Sequence, residues 1–232
     1  MVLQQGCVQP TLCPGIDAAL ARVLDRIGIT LLRVAAGGCC GALPHHLDAG
    51  DEARTLARCN IDAWWPHVER GAEAIVITAS GCGVMVKDYG HLLAGDPLYA
   101  AKAARVAALA KDTVEVIGNE WPRIAPRVAM DRGAQRVAFH PPCTLQHGMK
   151  LKGRVEEILQ AMGFELTPVR DAHLCCGSAG TYSMLQPAFA GELKRRKVEA
   201  LAAGRPEIIA TANIGCLVHL AEAASQPVRH WI

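Results

Sequence analysis

Cysteine recurs in this chain on one ruler used twice. Cys7 is followed by the adjacent pair Cys39-Cys40, with Gly41 behind it, and then by Cys82. Cys143 is followed by Cys175-Cys176, with Gly177 behind it, and then by Cys216. The step from single cysteine to pair is 32 positions in both copies, and from the pair to the last cysteine it is 42 and 40. Eight of the ten cysteines therefore obey one rule, which implies two duplicated units that each gather four thiols at one place. Four soft, anionic donors suit iron–sulfur clusters or soft metal ions.

The rest of the chain supports that reading. With 232 residues it can bury a core as two lobes of roughly 110 residues each. No apolar run approaches the roughly 20 residues that span a bilayer, and MVLQQGCVQP has no secretory pattern. A net charge of +2 with interspersed signs gives no electrostatic case for nucleic acid. Many cysteines without an export signal favour metal or redox chemistry over disulfides, and adjacent cysteines bridge each other only through a strained ring.

Each half alternates short apolar strands with amphipathic helices. Helices are expected over Asp17–Arg26, Asp48–Arg70 and Ala100–Ala110, the last packing across the lobes, and strands over Ile29–Ala35 and Ala74–Ala79. The second half repeats the order. It has strands over Arg136–Phe139, Phe164–Val169, Glu207–Ala212 and Val228–Ile232, and helices over Val155–Met162 and Leu185–Ala203. Strand, helix and parallel strand define an α/β class of two duplicated Rossmann-like lobes, each a small, mostly parallel sheet flanked by helices and related by a pseudo-two-fold. The lobes are expected at 1–118 and 119–232, joined through the weakly patterned Lys111–Arg132. Sites in such sheets lie beyond the carboxyl ends of the strands, and all eight cysteines fall there, Cys82 after a Ser80-Gly81 turn.

Other residues carry weaker signals. Zinc remains an alternative cargo, although four-thiolate zinc sites usually use C-x2-C knuckles and this chain has no C-x-x-C. Thiol-only redox chemistry also stays open. Cys13 reads as a non-ligand, since its counterpart is Met149, and Cys59 as a small buried hydrophobe. His45, His46, His140 and His147 flank the cysteines and can tune a centre or simply cap loops. Lys87, Lys150, Lys152 and Arg154 could offset cluster charge, whereas Lys194–Lys197 reads as the solvated side of a helix. Trp64-Trp65 reads as core. Neither a G-x-G-x-x-G loop nor a P-loop is present, so any flavin belongs on a partner.

The stretches GCVQP, GGCCGAL, SGCGVMVKDYGHLL, LCCGSAGTYSMLQP and GCLVHL resemble the cysteine-rich CCG domains nearly end to end. These domains occur in heterodisulfide reductase B-type subunits, lactate-utilisation proteins and glycolate oxidase iron–sulfur subunits, whose two C-terminal domains the chain most resembles. The resemblance implies one 4Fe–4S cluster per lobe, held by Cys7, Cys39, Cys40 and Cys82 and by Cys143, Cys175, Cys176 and Cys216. It implies an electron-relay subunit, not catalytic alone, taking electrons from a flavin-containing oxidase subunit that oxidises a 2-hydroxy acid and passing them to a quinone or another acceptor. The implied location is cytoplasmic, with a peripheral place on the cytoplasmic membrane reached through the complex. The ferredoxin-like domain usual in those subunits has no counterpart here, so such a module is expected on a missing N-terminal part or another chain. The B-type subunits carry a fifth cysteine per site, where this chain has Ala79 and Asn213. That departure favours an ordinary cubane and a relay over disulfide-cleaving chemistry.

Overall fold

The computed structural model describes residues 1–127 and 135–232. The chain divides into two compact units, Met1–Ile117 and Gly118–Ile232. In the first, β1 (Val2–Gln4), β2 (Leu32–Arg33), β3 (Ile75–Ile77) and β4 (Ala110–Asp112) form one sheet in the order β2-β1-β3-β4. All its pairs are parallel, with Leu3 opposite Val76 and Ile77 opposite Asp112. In the second, β5 (Arg136–His140), β6 (Glu165–Leu166), β7 (Ile208–Thr211) and β8 (Val228–His230) repeat the arrangement as β6-β5-β7-β8, again all parallel. The expected α/β class of duplicated parallel lobes is what the chain forms.

The central strands are short apolar runs because helices cover both faces of the sheet. Every residue of β1 and β3 is buried. The helices bury one stripe each. Ile16, Leu20 and Leu24 line the inner face of Gly15–Asp25, and Ala53, Ala57, Ile61 and Trp64 line that of Gly50–Glu69. Trp64 is 1% exposed and stacks on Tyr89, while its neighbour Trp65 is only half-buried.

Several elements differ from the sequence-based expectation. The strands expected over Ile29–Ala35 and Phe164–Val169 shrink to two residues each, because edge strands pair on one side only and the chain soon turns to deliver the cysteine pair. The helix Ala100–Leu109 packs Ala103 and Val106 into the first unit's own core. The chain then enters β4, so Ala110–Asp112 is sheet where a join was expected. Helices Thr113–Asn119 and Trp121–Ile124 follow, and residues 128–132 of the expected join lie outside the described residues. Ser80-Gly81 is not a free turn but the start of the helix Ser80–Lys87, as Ile214 starts Ile214–Ala221.

Candidate metal centres

The sheet order brings the cysteines of each lobe together. β1 lies between β2 and β3, and β5 between β6 and β7, so the chains leaving three neighbouring strands converge at one sheet end. Cys7 follows β1, Cys39-Cys40 follow β2, and Cys82 sits in the first turn of the helix after β3. Cys143, Cys175-Cys176 and Cys216 occupy the same places after β5, β6 and β7. The thiols form two hydrogen-bonded chains, Cys7–Cys39–Cys40–Cys82 and Cys143–Cys175–Cys176–Cys216. All eight cysteines are free.

Sharing protons along such a chain polarises it. Cys39 accepts from Cys40 and from Cys7 and is pulled down to about 2, and Cys175 accepts from Cys143 and Cys176 with the same result. The donors Cys7, Cys40, Cys143 and Cys176 are pushed well above the usual thiol range, first by those hydrogen bonds and then by burial. Part of each quartet thus favours the thiolate form that metals require.

The glycine of each C-C-G run is dictated by backbone geometry. Gly41 and Gly177 have φ of 85° and 93°, in the left-handed region that disfavours other residues. A side chain at Gly41 would meet the Ala53 carbonyl oxygen at 3.1 Å, and one at Gly177 the Ala190 oxygen at 2.6 Å. The turn is pressed against a helix, and the Gly177 N–H points at Cys175 Sγ, 3.3 Å away.

In the first lobe the C-C-G turn is held by uncharged side chains. Asn60 Oδ1 accepts the Gly38 N–H (2.8 Å), and its Nδ2 donates to the Cys39 carbonyl (2.8 Å) and to Tyr89 OH (3.0 Å). Tyr89 OH donates to the Cys40 carbonyl (2.9 Å), and Gln4 Nε2 to the Gly38 carbonyl (2.9 Å). Burial pushes the Tyr89 phenol up, keeping it a neutral donor. Behind this clamp, Asp17 accepts from Gln9 Nε2 and the Thr78 hydroxyl, tying the segment after Cys7 to the end of β3.

The second lobe uses different chemistry. His140 is 1% exposed, and neither ring nitrogen has a hydrogen-bond partner among the described residues. Its donor atom and the sulfurs of Cys176 and Cys216 all lie within 4.8 Å of one another. Cys216 is held far below the usual thiol range, chiefly by Cys176 and then by His140, with Asn213 Nδ2 3.7 Å from its sulfur. Lys197 is 4% exposed and donates to the Asp171 carbonyl (2.7 Å). Burial lowers its pKa, against the opposing pull of Cys176, Asp171, Cys175 and Cys216. Exposed apolar side chains Leu174, Tyr182, Met184, Leu185 and Phe189 cluster in the sequence around Cys175-Cys176.

Other candidates from the sequence fall elsewhere. Of the four histidines only His140 sits among thiols; His45, His46 and His147 are exposed. Lys87 is paired with Glu115 at 2.7 Å, and Lys150, Lys152 and Arg154 are exposed. Lys197 was expected with the solvated residues but turns inward, while Lys194, Arg195 and Arg196 bind Glu222, Glu192 and Glu199. The signal was present in the spacing: Lys197 follows the buried Ala190 by two helical turns and precedes Ala200 and Leu201 on the same stripe. Cys59 is exposed, not buried, because it lies two positions from both Ala57 and Ile61, roughly 200° around the helix. Cys13 follows the short helix Gln9–Leu12 and is not among the groups acting on Cys7, Cys39 or Cys40.

The cysteine-rich domain family, CCG, matches the chain twice, over residues 1–87 and 137–221. Over 232 residues the chain is 53% identical to the glycolate oxidase iron-sulfur subunit of Escherichia coli (strain K12), covering 100% of this chain and 56% of that protein. A probable glycolate oxidase iron-sulfur subunit of Bacillus subtilis (strain 168) is 28% identical over 93% of this chain and 48% of its own length. Lactate utilization protein A of Geobacillus thermodenitrificans (strain NG80-2) is 27% identical, over 92% of this chain and 87% of its own. The chain spans about half the length of the first two relatives. The two matches fall one in each unit, and each contains that unit's four gathered thiols. The chain belongs to the cysteine-rich CCG domain family, as a tandem pair of its units.

Proposed function

We propose that this chain is the electron-relay part of a flavin-dependent complex that oxidises a 2-hydroxy acid, glycolate being the substrate its 53% identical relative points to. The observation that carries the reading is the convergence of four thiols at the same sheet end in both lobes, with no disulfide among them. Cys7, Cys39, Cys40 and Cys82 would hold one 4Fe–4S cluster, and Cys143, Cys175, Cys176 and Cys216 a second. The donor sets fit: each is all-thiol, partly ionised, and set on a glycine turn that lets backbone approach closely. When bound, such clusters supply one-electron transfer at a potential set by their surroundings.

The chain's own residues place and tune the centres. The Asn60–Tyr89 clamp fixes the first C-C-G turn, and the Gly177 N–H supplies a donor toward sulfur in the second. Hydride chemistry belongs to a flavin on a partner subunit, and a quinone or comparable carrier takes the electrons away. A ferredoxin-like module on a further stretch or another polypeptide would extend the relay. No helix among the described residues is long and apolar enough to cross a membrane. The relay would work in the cytoplasm or at the membrane face through its partners.

Anaerobic reconstitution followed by iron and acid-labile sulfide quantification, with EPR of the reduced chain, tests the reading. A 4Fe–4S complement in each lobe supports it. Retention of zinc without sulfide would make the thiol quartets structural, and a colourless chain without iron would end the relay reading.

A further inference from the structure

The two thiol chains are alike in their cysteines and unlike in what surrounds them. Gln4 and His140 hold the same station: each is the last residue of its lobe's first strand and stands three positions before that lobe's first cysteine. Gln4 is uncharged, and its amide is engaged by the Gly38 carbonyl. His140 is buried, lacks a hydrogen-bond partner among the described residues, and faces the sulfurs of Cys176 and Cys216. The helix behind the C-C-G turn differs in the same sense. In the first lobe it presents neutral Asn60, engaged with Gly38, Cys39 and Tyr89. In the second it presents Lys197, buried and within electrostatic reach of Cys175, Cys176 and Cys216.

We propose, resting on the electron-relay reading, that the second lobe holds the higher-potential centre, because the imidazole of His140 stands beside the sulfurs of Cys176 and Cys216 and Lys197 is a buried lysine, where the first lobe places the neutral side chains of Gln4 and Asn60. Adding one electron makes a thiolate-bound centre more negative by one charge. A donor N–H aimed at sulfur and a cation in a low-dielectric interior both stabilise that reduced form more than the oxidised one. Gln4 and Asn60 give little of either, since their amides bind backbone. A single electron supplied to the pair by the reduced flavin therefore comes to rest in the second lobe, with no bond made or broken in the protein. His140 and Lys197 are positioning residues in this scheme. They act through the thiols and meet no substrate.

The test is a potentiometric EPR titration of the reconstituted chain carrying 15N-histidine, together with pulsed EPR on each signal. Two midpoints are expected, with 15N coupling on the higher-potential signal. His140→Gln, which installs the first lobe's own residue, should remove that coupling. His140→Gln and Lys197→Gln should each lower that midpoint by about tenfold in the reduction equilibrium, about 59 mV for one electron, and leave the other unmoved. Equal midpoints, 15N coupling confined to the lower-potential signal, or an unmoved midpoint in variants that keep their iron would overturn the proposal. Should a variant lose its iron, the coupling in the unsubstituted chain still decides. Absence of any cluster would instead defeat the relay reading on which the proposal rests.

Discussion

The first lobe holds its cysteine turn with a neutral, fully engaged clamp, whereas the second surrounds its own with a histidine and a lysine. Backbone topology, strand order and the left-handed glycine are the same in both. What differs is the chemistry of the side chains behind the thiols: Gln4, Asn60 and Tyr89 against His140 and Lys197. A buried lysine is costly to keep charged in an apolar setting, and burial alone lowers the Lys197 pKa. The nearby Cys176, Asp171, Cys175 and Cys216 offset part of that cost. Duplication thus supplied two similar cages, and separate side-chain choices made them unequal.

The largest test of this comparison removes a central thiol. Cys40→Ala should abolish the first lobe's centre and leave the second's, and Cys176→Ala the reverse, so bound iron falls by about half in each. Iron analysis beside EPR reads this directly, and loss of both centres from either change would break the independence of the cages. Next in size is Trp64→Ala. It empties a site that is 1% exposed and should cost about 3–5 kcal/mol. Calorimetry should show the transition of the first lobe alone moving down.

The glycine turns sharpen the comparison further. Gly177→Ala should cost more than Gly41→Ala, because its new carbon meets a backbone oxygen at 2.6 Å rather than 3.1 Å. Each cost is of the order of 1–3 kcal/mol for left-handed backbone with a close contact, and denaturant unfolding of the single variants gives the ranking. The smallest effect concerns Asp112 at the end of β4, where burial pushes the carboxyl up to about 7. A raised acid binds its proton more tightly folded than unfolded, so its contribution to stability declines as pH rises from about 4 to about 7. Asp112→Asn keeps an acceptor for the Val114 N–H and should flatten that decline by a few degrees of melting temperature. His230 stands at the matching place in β8, so that strand end contributes no such carboxylate slope in the second lobe.

Much of the candidate site was legible before any fold was known. Eight cysteines on a repeated ruler define two quartets, and the glycine after each pair announces a turn that tolerates no side chain. Apolar runs such as AIVITA and EIIATA mark the buried central strands. Lys111 was harder to place, because β4 is three residues long and merges into helices on both sides. Cys59 and Lys197 were misread for one shared reason. Residue type suggested burial for the cysteine and solvent for the lysine, while helical phase put the cysteine outside and the lysine inside.

By itself the sequence determined the doubled α/β plan and the eight thiols at its strand ends, because both follow from periodicity and spacing along the chain. Only tertiary structure decided which neighbours those thiols have. Gln4 meets Gly38 across 34 positions, His140 meets Cys216 across 76, and Lys197 reaches back to Asp171 across 26. Such proximities depend on how strands are ordered and how helices are rotated against them. No local pattern records that, and it is what makes the two cages different.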